Sequence, residues 1–207
     1  MISKQAIIVA SDAGNIGKTF IASLILETLR LSTTVDAYVC DSKYQALYNR
    51  YGNKDDKGVI LPFDKQNPRT GVGFLDISNP EEKEKFSQCL NTDSQFILFD
   101  LPANSTFALA TTMGSPENFI EFLEFAETEP IFVCPIKDEK SVLSFNKLKS
   151  LFPEQKFVVF INGGAIKASF GVNAKKAAEE IARLKEEFKN ETVICLEHVL
   201  SDRVFSL

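Results

Sequence analysis

Ala6-Ile7-Ile8-Val9-Ala10 runs directly into Ser11-Asp12-Ala13-Gly14-Asn15-Ile16-Gly17-Lys18-Thr19, and the reading of this stretch decides the fold. A short β-branched run predicts a strand. It breaks into a glycine-containing turn, and Ile21, Leu24, Ile25 and Leu29 then recur at helical spacing. Strand, turn and helix in that order build a phosphate cradle: the amides of the turn and of the first helical residues converge where the helix dipole adds partial positive charge. In such a loop Lys18 reaches the β/γ-phosphates and the Thr19 hydroxyl ligates Mg²⁺. The expected binding set is Gly14, Asn15, Ile16, Gly17, Lys18 and Thr19, with Phe20 in the first helical turn. One position departs from the usual pattern, which has glycine six residues before the lysine; here it is Asp12.

The 207 residues are read as one α/β domain spanning 1–207. Hydrophobic residues make up 44% and charged residues 25%, as in ordinary soluble chains. No apolar run approaches the roughly 20 residues of a membrane span, and no secretory leader pattern is present, so the expected location is the cytoplasm. Cys40, Cys89, Cys134 and Cys195 share no metal-ligand spacing and read as small buried hydrophobes. The single histidine, His198, makes a histidine-based triad or metal cluster unexpected; it reads as a partly buried polar residue near the last strand. The net charge of −5 argues against a surface wholly given to nucleic acid. Lys137 to Lys189 nevertheless carries eleven Lys/Arg against seven Asp/Glu, enough for weak direct DNA contact at low salt, although a normally solvated helical surface is the simpler reading.

Along the chain, strands are expected at 33–40, 72–77, 95–101, 130–136, 156–162 and 192–196, with a further short one at Val59-Ile60-Leu61. Helices are expected at 44–51, from Asn79-Pro80 to about 90, from Ser115-Pro116 to about 127, at 139–152 and at 173–188. This alternation predicts a mostly parallel twisted sheet with helices on both faces, binding its ligand beyond the carboxyl ends of the strands.

Three more candidates stand at such ends. Asp100 closes the apolar run Phe96-Ile97-Leu98-Phe99, where a carboxylate beside a phosphate loop holds Mg²⁺, directly or through water. Asp41 ends the second strand and either orients water or the metal's outer shell, or simply terminates the strand. Asn162 opens into Gly163-Gly164, and its amide suits either a purine edge or a tight turn.

Taken together, the phosphate loop, Asp41, Phe96-Ile97-Leu98-Phe99-Asp100-Leu101-Pro102, Phe132-Val133-Cys134-Pro135 and Phe160-Ile161-Asn162 make the chain resemble the ParA/MinD family. These are P-loop ATPases of plasmid partition, division-site placement and some conjugation systems. The resemblance covers nearly the whole chain, mostly as topology with short motifs. It implies a three-layer P-loop NTPase fold and ATP with Mg²⁺ as ligand. It assigns the phosphates to Gly14, Gly17, Lys18 and Thr19, the metal to Thr19 and Asp100, and the adenine to Asn162. It makes Asp41 the first switch aspartate.

Two positions depart from the family. The signature lysine, which reaches the partner's nucleotide in an ATP-sandwiched dimer, is replaced by Ala13, and the second switch aspartate by Lys43. Lys43 is placed to reach back to the phosphates in partial replacement, leaving Lys18, Asp41 and Lys43 as the catalytic candidates. Losing a cation and a water-orienting acid weakens turnover more than binding.

The implied function is ATP binding, with weak or partner-dependent hydrolysis, in plasmid partition, stability or conjugative mobilisation. It would act through a DNA-binding adaptor, without stable membrane association, and the missing lysine bears against a nucleotide-dependent homodimer. A biosynthetic ligase or kinase of the dethiobiotin-synthetase type shares the loop and sheet; Ser105 to Met113 is the stretch that would line its substrate pocket. A scaffold that has lost nucleotide binding is the third reading, to which Asp12, Ala13 and Lys43 point. Val199 to Leu207 could form a short amphipathic helix, with packing on the domain expected rather than membrane binding.

Overall fold

Every strand-to-strand pairing in the sheet is parallel, and the seven strands lie in the order β3-β2-β4-β1-β5-β6-β7. They are β1 (Lys4–Val9), β2 (Val35–Val39), β3 (Gly73–Phe74), β4 (Phe96–Asp100), β5 (Thr128–Ile136), β6 (Lys156–Ile161) and β7 (Thr192–Cys195). The computed structural model describes residues 4–43 and 45–196. β1 is central: the chain first builds leftward through β2, β3 and β4, then rightward through β5, β6 and β7. The direction of winding therefore reverses beside β1, where such sheets leave a crevice for ligands.

The strands read as continuous apolar runs because both faces are covered. On β1, Ala6 and Ile8 enter one core while Ile7 and Val9 enter the other. The second of these cores lies beneath α1 (Lys18–Arg30) and α2 (Ala46–Tyr51), with Ile21, Ala22, Leu26 and Leu47 fully buried. The first lies beneath α3 (Lys83–Leu90), α4 (Thr106–Thr111), α5 (Pro116–Phe125), α6 (Glu139–Leu151), α7 (Gly163–Phe170) and α8 (Ala174–Glu187). Here the abundance of phenylalanine finds its use. Phe99 stacks on Phe86, Phe86 meets Phe119, Phe119 meets Phe152, and Phe152 and Phe157 flank Phe132 at centroid distances of 4.9 and 5.2 Å. An aromatic seam thus crosses the sheet, each ring pair adding about 0.5–1.5 kcal/mol beyond its buried area.

Helix starts follow local chemistry. The Ser115 hydroxyl accepts from Asn118 N with Pro116 at the first position, and Asp138 and Ser141 form a reciprocal capping box on α6. Asn173 caps α8.

Four expectations change. Val59-Ile60-Leu61 is not a strand: the Asp55 carboxylate takes the amides of Lys57 and Val59, and only an isolated antiparallel bridge joins Lys54 to Ile60. The strand at 72–77 shrinks to Gly73–Phe74. The helix after Asn79 begins as a 3-10 turn, Pro80–Glu82. Two helices, α4 and α7, appear where only loops were expected. Threonines in α4 and glycines in α7 argue against helix by propensity, and burial of Leu109, Ala110 and Ile166 overrides it. The four cysteines carry no disulfide. His198 and Val199 to Leu207 lie outside the described residues. Among the described residues, no helix is long and apolar enough to cross a membrane.

Candidate functional site

The register sets Val9 and Val39 level with Asp100, so the carboxyl ends of β1, β2 and β4 share one edge. The chain leaves β1 through Ala10, whose amide still bonds Val133 O at 3.0 Å, and then enters the loop. Asn15 stands at φ 56° and Gly17 at φ 96°, two left-handed turns that wrap the backbone around one point. Glycine is required at 17 for a second reason: a Cβ there would lie 2.7 Å from Asn162 Nδ2. Gly14 has open space around its Cβ position, which leaves bare backbone at the loop surface. Among the described residues, the amides of Gly14, Asn15, Ile16 and Gly17 donate no hydrogen bond, whereas those of Asp12 and Ala13 are spent on Ser144 and Ser11. Lys18 and Thr19, opening α1, add the amides that any helix start leaves without an intrahelical acceptor.

Lys18 is buried, and its Nζ donates to Ala13 O across the loop at 2.8 Å. Burial lowers its pKa, while Asp100, Asp41 and Asp12 hold the charge in place. Asp100, 2% exposed, has an Oδ1 with no hydrogen-bond partner among the described residues. Burial raises its pKa to about 7, assisted by Asp41 and opposed by the Thr19 hydroxyl and the Lys18 ammonium. A buried carboxylate oxygen left unpaired costs free energy unless something cationic meets it. Thr19 and Asp100 therefore suit a hard cation such as Mg²⁺, whose ligands are oxygens. Asp41 Oδ1 accepts from Lys43 N at 2.8 Å, and both residues rim a hollow shared with Asp76, Ser78 and Pro102 to Ser105. Lys43 itself is exposed there.

Other expected residues take plainer places. Phe20 packs against the core under α1. Ile16 is buried, and its carbonyl accepts from Asn162 Nδ2 at 3.1 Å. Asn162 Oδ1 accepts from Ala165 N, capping α7, so this amide, 6% exposed, ties the loop to β6 and α7 instead of facing outward. The hydroxyls of Thr111 and Thr112, in the stretch considered for a substrate pocket, donate back to carbonyls of their own helix, at Phe107 and Ala108.

Sequence reasoning missed the partners of Asp12. Its Oδ1 accepts from Thr106 N at 3.0 Å, and its Oδ2 meets Lys147 Nζ at 2.6 Å. Burial opposes ionisation of Asp12, but these contacts outweigh it and the pKa is lowered. The only signal in the sequence was an acid where glycine is usual.

No family model and no curated protein matches the sequence. Solved structures do match. McdA from Cyanothece aligns over 97% of this chain and 87% of its own, with TM-score 0.56 and 16% identity. A plasmid partition protein from Borrelia burgdorferi covers 93% and 89%, with TM-score 0.54 and 12% identity. The fold is that of the ParA/MinD-like P-loop proteins. A third structure of similar fold, a plasmid partition protein from Borrelia burgdorferi B31 bound to AMPPNP, covers 93% and 84% with TM-score 0.53 and 13% identity. Within this ParA/MinD-like frame the two departures stand out structurally. Ala13 contributes only a carbonyl to Lys18, and Lys43 contributes a backbone amide to Asp41.

Proposed function

We propose that this chain is a ParA-like ATP-binding protein, taking ATP with Mg²⁺ at Gly14 to Thr19 and Asp100. The observation that carries the reading is the buried Oδ1 of Asp100, unpartnered among the described residues, beside Lys18 and Thr19, next to a loop whose amides at Gly14 to Gly17 make no bonds to the described residues. A polyanion and its metal satisfy both at once. The Borrelia burgdorferi B31 protein of the same fold is bound to AMPPNP, which supports the choice of ligand. Mg²⁺, held by Thr19 and Asp100, would supply charge neutralisation at the β/γ-phosphates. Lys18 would exchange its Ala13 carbonyl for a phosphate oxygen. Asn162 holds the loop's shape through Ile16 and Ala165, at the end of β6 where the adenine would lie.

Hydrolysis is slow in this reading. Ala13 cannot supply a cation, and Lys43 stands where an acid would orient water, so turnover depends on a partner. The process is plasmid partition, stability or conjugative mobilisation through a DNA-binding adaptor in the cytoplasm. The basic stretch Lys137 to Lys189 adds weak direct DNA contact, and any homodimer is formed without the missing lysine. Isothermal calorimetry tests the core of this: the native chain binds ATP–Mg²⁺, and Lys18→Ala loses at least tenfold in affinity. Equal affinity in the two proteins removes the proposal.

A further inference from the structure

Asp12 is the anomaly of the loop: a carboxylate six residues before Lys18, on the rim of a site read as holding a polyanion. Coulomb repulsion there opposes phosphate binding. The carboxylates that act on Lys18 are Asp100, Asp41 and Asp12, three acids around one ammonium. Asp100 has a role in the proposed site, and Asp41 accepts from the Lys43 amide; Asp12 has none.

Every polar group of Asp12 is engaged by a distant part of the chain. Its amide donates to Ser144 Oγ on α6 at 2.6 Å, and its carbonyl accepts from Asn104 N at 3.3 Å. Oδ1 accepts from Thr106 N at the start of α4, and Oδ2 pairs with Lys147 Nζ on α6. The carboxylate is 18% exposed and the lysine 53%. Lys140 and Lys147 lie two turns apart on α6, flanking Leu143 beside Ala13 and Gly14, so this helix turns a basic stripe toward the loop.

We propose that Lys147 is a positioning residue of the nucleotide site, cancelling the charge of Asp12 so that a loop built with an acid still accepts a triphosphate. Asp12 is the anchor that joins the loop to α4 and α6, and Lys147 makes that anchor electrostatically compatible with the ligand. The inference rests on the nucleotide-binding reading above and adds a residue to it that no phosphate-loop pattern contains.

The test is a double-mutant cycle read by calorimetry with ATP–Mg²⁺ at low ionic strength, where a half-exposed pair is least screened. Lys147→Met weakens binding by roughly five- to tenfold, and Lys147→Arg stays within about twofold of the native chain because it keeps the charge. Lys147→Gln, which keeps most of the polar stem, tracks Lys147→Met. Asp12→Asn alone binds more tightly than the native chain because Lys147 is left unopposed, and adding Lys147→Met returns the pair to neutrality, so the double variant binds within about twofold of native. A purely structural lysine gives the opposite pattern: arginine fails to rescue, or the double variant stays as weak as Lys147→Met with thermal midpoints falling in step. Either result overturns the proposal, as does a Lys147→Met affinity within twofold of native. If the native chain itself binds no nucleotide, the nucleotide reading falls, and the cycle's failure is then distinguishable from that of Lys147 alone.

Discussion

Asp100 shows most directly what the proposed binding site costs the fold. Its carboxyl sits at 2% exposure with one oxygen unpaired, and its pKa of about 7 lies far above the ordinary 3.8. The unfolded chain therefore loses this proton near pH 4, while the folded chain keeps it to about pH 7. Stability falls as pH rises through that window and is flat above it; an asparagine there has no such dependence. In chelator, Asp100→Asn is expected to raise unfolding stability by roughly 2–4 kcal/mol at pH 8 relative to its effect at pH 4. Urea denaturation of both proteins at the two pH values checks this, and parallel pH profiles contradict it. The glycines of the loop separate in the same way. Gly17→Ala meets both a positive φ and Asn162 Nδ2, and is expected to lose about 1–3 kcal/mol of stability. Gly14→Ala meets nothing within 4 Å and stays within about 0.5 kcal/mol by the same measurement.

At the scale of elements, the capped helices were legible because their signals are local. Ser115-Pro116 and Asn173 mark their helices with side chains that bond amides three residues away, and the structure shows those bonds. α4 and α7 were illegible for the converse reason: threonine and glycine disfavour helix, and the decision came from Leu109, Ala110 and Ile166 finding a core. β3 shrank because Val72 to Ile77 pairs only with β2, at the sheet's edge. The aromatic seam is likewise a tertiary object. Phe132 contacts Phe152 and Phe157 from different elements, so Phe132→Ala is expected to cost about 3–5 kcal/mol. A loss under about 1.5 kcal/mol in a denaturant midpoint series means the neighbours refill the space and the seam does not act as a unit.

For the whole molecule, the parallel sheet converts sequence distance into proximity. Asp12, Thr106 and Lys147 are separated by 94 and 135 residues from the loop's acid outward, yet they meet because β1 lies between β4 and β5. A ligand at this junction touches the ends of several strands and binds only the folded state. ATP with Mg²⁺ at about 100 times its Kd is therefore expected to add roughly 2.7 kcal/mol and to raise the thermal midpoint, more than ATP in chelator does. Identical midpoints with and without nucleotide contradict the site.

The sequence alone determined the sheet's parallel character, the position of the phosphate loop and the carboxylate at the end of β4. These follow from apolar runs, turn residues and spacing, which are properties of neighbours along the chain. Only the tertiary structure decided that Asn162 faces inward to brace Ile16, that Asp100 keeps an unpaired oxygen, and that the odd acid in the loop is met by a lysine from α6. Those facts depend on which distant side chains the winding of the sheet brings within hydrogen-bond reach, and no local pattern encodes that distance.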